Sequence, residues 1–279
     1  MASLGDLAAR AVRRPLAGLD ALGEQLSVYL RALAAIPRAI RRHQREVLKL
    51  LADVSFGGGA LAVAGGTVGV IAFLCFFTGT EVGLQGYAAL NQLGTSAFTG
   101  FISAYFNTRE IAPLVAGLAL SATVGCGFTA QLGAMRISDE IDALEVLGVP
   151  SLPFLVSTRI VAGFVAVIPL YVVGLLSSYL ATRLIATRYQ GQSAGTYDHY
   201  FNLFLPPGDV IASFGKVLVF SVVIVLTHCY YGYRASGGPA GVGVAVGRAV
   251  RTSIVAINLI DFFLSLAIWG ATTTVRIAG

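Results

Sequence analysis

The chain has 279 residues, of which 56% are hydrophobic and only 12% are charged, with 19 Lys and Arg against 14 Asp and Glu. An average soluble domain carries roughly 25% charged residues. The core of a soluble domain cannot hold this excess of apolar side chains, so the composition excludes a water-soluble globular protein and predicts a polytopic membrane protein.

The N-terminal region is basic. Nine of the 19 Lys and Arg fall in residues 1–50, and apolar residues such as Leu26 and Leu30 recur between them at helical spacing. This pattern indicates an amphipathic helix lying on anionic headgroups, and a solvated cytoplasmic tail is the alternative. No uninterrupted apolar segment with a cleavage site opens the chain, so we expect no cleaved signal peptide. We divide the chain into an N-terminal interfacial region, residues 1–56, and a membrane domain, residues 57–279.

Five apolar stretches follow that can cross a hydrocarbon core of ~30 Å as helices. They predict an all-α membrane fold. The second stretch would be about 60 Å long as a straight helix, so it must kink, tilt or protrude, and Pro113 is the expected kink. The polar residues 189–209 and the Gly-rich, basic residues 233–251 are predicted to be loops. The five stretches cover residues 60–77, 96–135, 154–186, 210–231 and 252–275.

A short acidic segment, residues 138–148, separates the second and third stretches. Ile141, Leu144 and, one turn further on, Leu147 and Gly148 fall on one helical face, with the acids on the others. The pattern therefore predicts an amphipathic helix. Ser138 is the expected N-cap and Gly148 the expected end. We interpret the segment as a docking helix for a soluble partner, and a connecting loop with one helical turn is the alternative. Its acidic residues are Asp139, Glu140, Asp142 and Glu145.

Small residues recur at every fourth position of the second stretch, at Gly117, Ser121, Gly125, Thr129 and Gly133. Such a stripe allows another helix to approach closely. Packing within the subunit is one explanation, and a seam between two subunits is the other.

Two adjacent charges, Arg109 and Glu110, interrupt the second stretch. A lipid-exposed charge at mid-membrane would cost roughly 3 kcal/mol, so we expect both side chains to face a polar cavity. A position at the outer interface, where a charge costs little, is the alternative. Gln85 and Tyr87 lie in a Gly-rich continuation of the first stretch with mixed polarity. We predict that these four residues line the entrance of a cavity on the outer side.

The distribution of positive charge orients the predicted spans. With the N-terminus inside, 14 Lys and Arg fall on the inner side and five on the outer side, which is the asymmetry of the positive-inside rule. The acidic helix and the Gly-rich loop are then cytoplasmic, and the C-terminus is outside.

The sequence contains no catalytic, metal-binding or nucleotide-binding motif. Neither of its two lysines, Lys49 and Lys216, lies in a GxxxxGK[ST] motif, so the chain by itself has no Walker-type ATP site. No CxxC spacing and no metal-ligand spacing occurs. The cysteines and histidines are Cys75, Cys126, Cys229, His43, His199 and His228.

Three blocks of the sequence together resemble the MlaE/YrbE permeases of ABC-type lipid transport systems. The resemblance covers nearly the whole chain after about residue 40. At Thr123 and Gln131 the family often has Arg and Glu, and the loss of both charges is similar to the B-type YrbE subunits of mycobacterial Mce systems. This departure puts in doubt any role carried by these two positions. The blocks are GLQGY at 83–87, the region from REIAP to the acidic helix at 109–148, and GGPAGVG onward at 237–261.

This resemblance implies a permease subunit of the plasma (inner) membrane that binds no cofactor of its own, because a partner subunit would bind ATP. The implied partners are a second permease, two cytoplasmic ATPase subunits, external MCE-domain proteins and a lipid. Because two unlike permeases pair in Mce systems, the second permease is expected to be a paralogue that forms a heterodimer with this chain. No nucleic acid is expected. The predicted cavity would then hold lipid, and the acidic helix would dock the ATPase with Ile141 and Leu144 as apolar anchors.

Two functions of other classes also fit a membrane protein of this composition. One is an integral-membrane enzyme acting on lipid, with Glu110, Asp261 or His199 as acid–base groups. The other is a structural membrane scaffold. Co-purification separates them, because only the permease requires an ATPase chain.

A reporter active only in the cytoplasm tests the orientation. Fused after Gly279 it should stay silent, because five spans that begin inside end outside. Fused at the N-terminus, as the matched control, it should be active. A signal from the C-terminal fusion would contradict the number of spans or their orientation.

Overall fold

A computed structural model describes residues 23–56 and 66–270, and all regular structure within these ranges is helical. The predicted all-α membrane fold is confirmed. Residues 23–34 form a helical segment at the start. The helices after it are α1 (Ile36–Arg42), α2 (Gln44–Phe56), α3 (Gly66–Gln92), α4 (Ser96–Ile137), α5 (Glu140–Val146), α6 (Leu152–Tyr189), α7 (Ala194–Leu203), α8 (Pro207–Tyr233) and α9 (Gly238–Trp269).

Five of these helices are long and apolar enough to cross a membrane, namely α3, α4, α6, α8 and α9. The predicted number of spans is therefore confirmed. The first predicted span began at residue 60, and its residues 60–65 lie outside the described ranges. Helix α3 continues to Gln92 and so includes the mixed-polarity segment that contains Gln85 and Tyr87.

Two segments that we predicted as loops are helical instead. Part of 189–209 forms α7, and the Gly-rich residues from Gly238 onward form the first turns of α9, which ends at Trp269. Gly237 and Gly238 make the turn into α9 with φ of 89° and 70°, a backbone conformation that glycine adopts without steric cost. Helix propensity is a weak guide here, because tertiary contacts, such as Val242 of α9 against Gly133 of α4, stabilise the helix.

Helix α4 contains two π-helical segments, Ser103–Ile111 and Ser121–Gly125. Pro113 follows the first of them and has no N–H to donate within the helix. The side chain of Lys216 on α8 donates to the Arg109 carbonyl at 2.6 Å. The irregularity expected at Pro113 therefore takes the form of a π-helical segment, and one carbonyl of this segment accepts a hydrogen bond from a neighbouring helix.

The length of α4 is explained by its packing on α7. An added Cβ on Gly100 would overlap the backbone of Tyr197, so the two helices touch backbone to backbone. Aromatic rings extend the contact, with Phe101 and Phe204 centroids 4.8 Å apart. The first turns of this 42-residue helix therefore pack on α7.

Helix α6 lies at the centre of the bundle and packs against α2, α3 and α8, while α8 also packs against α4 and α9. The closest approach joins α3 and α6, where an added Cβ on Gly79 would overlap the Ser178 carbonyl. The N-terminal segment is attached to the same helix, because Ser157 Oγ donates to the Ala32 carbonyl at 2.8 Å.

Candidate functional site

The acidic helix exists, but its N-terminus differs from the prediction. Helix α5 begins at Glu140, with Asp139 in the cap position at a left-handed φ of 59°. Ser138, the predicted N-cap, instead donates its hydroxyl to the Ala134 carbonyl at 3.0 Å and to Glu140 at 3.0 Å. It therefore ends α4 instead of beginning α5.

The faces of α5 also differ from the prediction. Ile141, one of the two predicted anchors, is completely buried in the chain's own core, and Leu144 is partly buried against it. A partner protein therefore cannot use Ile141 as an anchor. The exposed apolar residues are Val146 and Leu147, with 88% and 77% of their surface accessible. Periodicity placed Leu147 beside Ile141, but α5 ends at Val146, so Leu147 no longer follows the helical repeat.

The acids of α5 are exposed, and two of them attach the helix to the bundle. Asp142 forms an ion pair with Arg136 at 2.7 Å. Glu145 accepts hydrogen bonds from Ser151 at 2.5 Å and from Tyr233 at the end of α8 at 3.4 Å. The exposed acids are Asp139, Glu140, Asp142 and Glu145, and Gly148, at φ of 75°, follows in the turn.

A second polar cluster lies at the other end of α8, where this helix begins. Helix α8 has 27 residues, so its two ends are about 40 Å apart. Arg109 is buried and bonds to Asp209 with both Nε and Nη2 at 2.7 Å. The Trp269 indole donates to the same carboxylate at 2.9 Å. The Arg109 guanidinium lies over the ring of Tyr105, 4.2 Å from its centroid.

Lys216 is the centre of this cluster and has no solvent exposure. Its ammonium lies 2.5 Å from Asp261 and donates to Ser265 at 2.8 Å, in addition to the Arg109 carbonyl. Glu110 is 3.5 Å away and accepts a hydrogen bond from Ser265 at 2.7 Å. The network joins α4, α8 and α9. We name it the Lys216 network.

Only two of the four predicted cavity residues belong to this cluster. Arg109 and Glu110 are in it, and the Glu110 side chain keeps 36% of its surface accessible. On α3, Gln85 is exposed and Tyr87 half-buried, and within the described ranges no hydrogen bond or ion pair connects either of them to Glu110. The sequence offered Lys216 and Asp261 only as isolated polar residues in apolar stretches. It gave no signal that pairs Asp209 or Ser265 with them.

The small-residue stripe of α4 is covered by the chain's own helices. His228 of α8 fits against Gly125 and bonds to Ser121 at 3.0 Å and to Thr129 at 2.8 Å. Ser253 of α9 bonds to Ser121 at 2.8 Å. These contacts are packing within the subunit, and all five residues of the stripe are buried by it. The neighbours of the remaining positions are Phe220 and Ile257 at Gly117, and Val242 and Ala235 at Gly133.

Metal-binding and acid–base residues are distributed over separate parts of the described structure. Within the described ranges, no group of three or more His, Cys, Asp and Glu side chains could hold a metal ion. His199, one of the acid–base candidates, is exposed on α7, and its ring contacts the neighbouring Tyr200. No described hydrogen bond joins it to Glu110 or Asp261. His199 is therefore not part of the Lys216 network, which contains the other two candidates, Glu110 and Asp261.

A bundle of five membrane-length helices with buried ion pairs, and with a short amphipathic helix held at one end, defines a multi-pass membrane protein of the permease class. Residues 58–267 match the model of the family "Permease MlaE". This match covers well over half of the 279 residues, so the chain belongs to the MlaE permease family.

Individual relatives agree with this assignment. The chain is 29% identical over 196 residues to a "Probable ABC transporter permease protein" of Rickettsia bellii, covering 70% of this chain and 76% of the relative. It is 30% identical over 200 residues to "Protein TRIGALACTOSYLDIACYLGLYCEROL 1, chloroplastic" of Arabidopsis thaliana, covering 69% and 56%. It is 26% identical over 197 residues to the "Intermembrane phospholipid transport system permease protein MlaE" of Haemophilus influenzae, covering 70% and 75%.

Removal of the Lys216 ammonium tests how much the Lys216 network stabilises the fold. Lys216→Met leaves Asp261 buried without a counter-ion, and breaking a buried pair in this way costs about 3–5 kcal/mol. We expect a large fall in the thermal unfolding temperature of the purified protein in detergent. Adding Asp261→Asn should restore part of the loss, because the uncompensated charge is then removed.

Arg183→Gln is the matched control, since it breaks an ion pair of 2.8 Å with Asp198 whose side chains are both well exposed. Exposed pairs contribute at most about 1 kcal/mol. Equal effects of Lys216→Met and Arg183→Gln would show that the Lys216 network does not hold the three helices together.

Proposed function

We propose that this chain is the permease subunit of an ABC-type lipid transport complex that docks a separate ATPase through α5. The observation that carries the proposal is the construction of α5. It is attached to the bundle by Glu145 and Asp142, yet it presents Val146, Leu147 and its acids outward. Membership of the MlaE permease family and relatives named ABC transporter permeases support the same function.

Docking at α5 fits the physical pattern of protein interfaces. Binding energy concentrates in a few central apolar side chains, and surrounding charges contribute mainly to specificity and association rate. Val146 and Leu147 supply the apolar centre, and the exposed acids supply the charged surround. Glu145 accepts hydrogen bonds from Ser151 and from Tyr233 of α8, so a partner docked on α5 would be connected to α8 through these bonds.

The proposed complex lies in the inner membrane with α5 and the basic N-terminal region on the cytoplasmic side, as the positive-inside rule favours. The chain needs no nucleotide site of its own, because ATP binds to the ATPase subunits. Its other partners are a second permease of the same family, which the residues Thr123 and Gln131 suggest is a paralogue, and external MCE-domain proteins. Gln131 accepts a hydrogen bond from Arg159 at 3.3 Å, so an amide here occupies the place of the family's carboxylate.

Replacing the two exposed apolar residues of α5 tests the docking surface. Val146→Asp with Leu147→Asp should leave the fold intact, because both side chains are exposed. It should remove most of the co-purifying ATPase, since each apolar anchor contributes about 2 kcal/mol. Pull-down of the ATPase from membranes measures the effect. Leu144→Asp is less informative, because Leu144 packs against the core.

Leu93→Asp provides the matched control. Leu93 is an exposed leucine just after α3 ends, outside α5, and its replacement should leave ATPase recovery unchanged. If the double variant of α5 retains the ATPase as well as Leu93→Asp does, the docking assignment is wrong.

We further propose that lipid passes the end of the bundle where α8 begins. Glu110 is the partly accessible member of the Lys216 network, and α9 beside it exposes a broad apolar face that includes Phe262, Phe263 and Leu266. An apolar surface with one accessible polar edge suits an amphiphile. Gln85 and Tyr87 remain in this proposal as rim residues on the strength of the family resemblance.

A photoreactive residue tests the lipid path. Placed at Glu110 or Tyr87 in the assembled complex, it should capture lipid, and the yield should change when the ATPase hydrolyses ATP. A probe at Phe73, which is exposed on α3, should capture bulk lipid independently of ATP. The proposed path is wrong if probes at Glu110 and Tyr87 label only protein, or if their yields follow that of Phe73.

A further inference from the structure

A group of arginines lies where the first two helices meet. Helix α1 ends at Arg42 and α2 begins at Gln44, and we name residues 37–46 the arginine elbow. The elbow is held rigidly, because Ala39 is completely buried and the His43 ring packs edge-on against Phe154 of α6, with centroids 5.1 Å apart. Its arginines are therefore carried by a fixed scaffold beside the start of a membrane span.

Two adjoining pockets open on the arginine elbow, with volumes of about 390 and 400 Å³. Both are lined by Arg41 and Arg42; the first also by Arg38, and the second also by Arg45 and Glu46. Four arginines thus accompany one glutamate. Within the described ranges, none of the four forms an ion pair with a carboxylate. The elbow therefore offers a concentration of unneutralised guanidinium groups.

Exposed apolar side chains adjoin these arginines. Ile40 on α1 and Leu48 on α2 have 47% and 64% of their surface accessible, and Leu26 and Leu30 on the preceding segment are exposed as well. A soluble acidic protein would not need apolar residues placed in this way, whereas the membrane interface accommodates both chemistries at once. The position next to the start of α6 places the elbow at headgroup level.

We propose that the arginine elbow binds the phosphate headgroup of an anionic phospholipid in the leaflet on the α5 side. A guanidinium group presents paired N–H donors that match phosphate oxygens. Two pockets that share Arg41 and Arg42 can take one phosphate each, so a phospholipid with two phosphates should bind more strongly than one with a single phosphate. This site is separate from the proposed ATPase surface and from the proposed lipid path.

Lipid retention tests the proposal on the full chain. The protein is purified in detergent with an equal mixture of cardiolipin, phosphatidylglycerol and phosphatidylcholine, and retained lipid is counted by native mass spectrometry. Arg41→Gln with Arg42→Gln should lower cardiolipin retention about tenfold and phosphatidylglycerol retention less, with phosphatidylcholine unchanged. The thermal unfolding temperature should not change, since both arginines are exposed.

Arg248→Gln with Arg251→Gln is the matched control, because it removes the same charge from exposed arginines in the first half of α9. It should change cardiolipin retention by less than about twofold. Equal losses of cardiolipin in the two double variants would show that the effect comes from net charge alone, and would overturn the proposed site. Unchanged cardiolipin retention in the elbow variant would also overturn the proposed site. This outcome is independent of the proposed ATPase docking, because it does not depend on ATPase recovery. Competition by inorganic phosphate as effective as that by cardiolipin would assign the pockets to a soluble anion instead.

Discussion

The buried ammonium of Lys216 is the constraint on which one end of this bundle depends. Lys216 of α8 donates at 2.6 Å to the Arg109 carbonyl in the π-helical segment of α4, just before Pro113. The same ammonium lies against Asp261 and Ser265 of α9. A buried charge is strongly destabilising unless it is paired and hydrogen-bonded, so three helices must keep one relative position for all these partners to be present.

Helix α8 connects this end of the molecule to the other. It carries Asp209 and Lys216 in its first turns, His228 in its second half, and Tyr233 at its end, where the phenol donates to Glu145 of α5. The surface proposed for the ATPase and the cluster proposed for lipid are therefore attached to one rigid element about 40 Å long. Any movement of α5 relative to the bundle must break or carry with it the Ser151–Glu145–Tyr233 group.

The polar groups at the middle of the bundle have a packing role. His228 is enclosed by Ser121, Thr129 and Ser253, and a side chain at Gly125 would overlap its ring. The small residues of α4 are thus used for packing inside the subunit. Helix α9 is only 17% buried over its apolar window, which leaves most of its surface for lipid or for a partner.

The sequence by itself determined the membrane class, the five spans and the acidic helix between the second and third. These depend on local properties, namely the length and hydropathy of each stretch and the periodicity of apolar and acidic residues. The same local rules mispredicted the residues from Gly238 onward as a loop, because glycine disfavours an isolated helix. Here tertiary packing stabilises the helix, as where Val242 of α9 lies against Gly133 of α4.

Tertiary structure alone decided which residues meet. Lys216 and Asp261 are 45 positions apart and Arg109 and Asp209 are 100 apart, so no spacing rule links them, and their pairing depends on how α4, α8 and α9 cross. It also decided that Ile141 points into the core while Val146 and Leu147 point out. Periodicity identifies an apolar face, but only the packed neighbours determine whether the chain itself or a partner covers it.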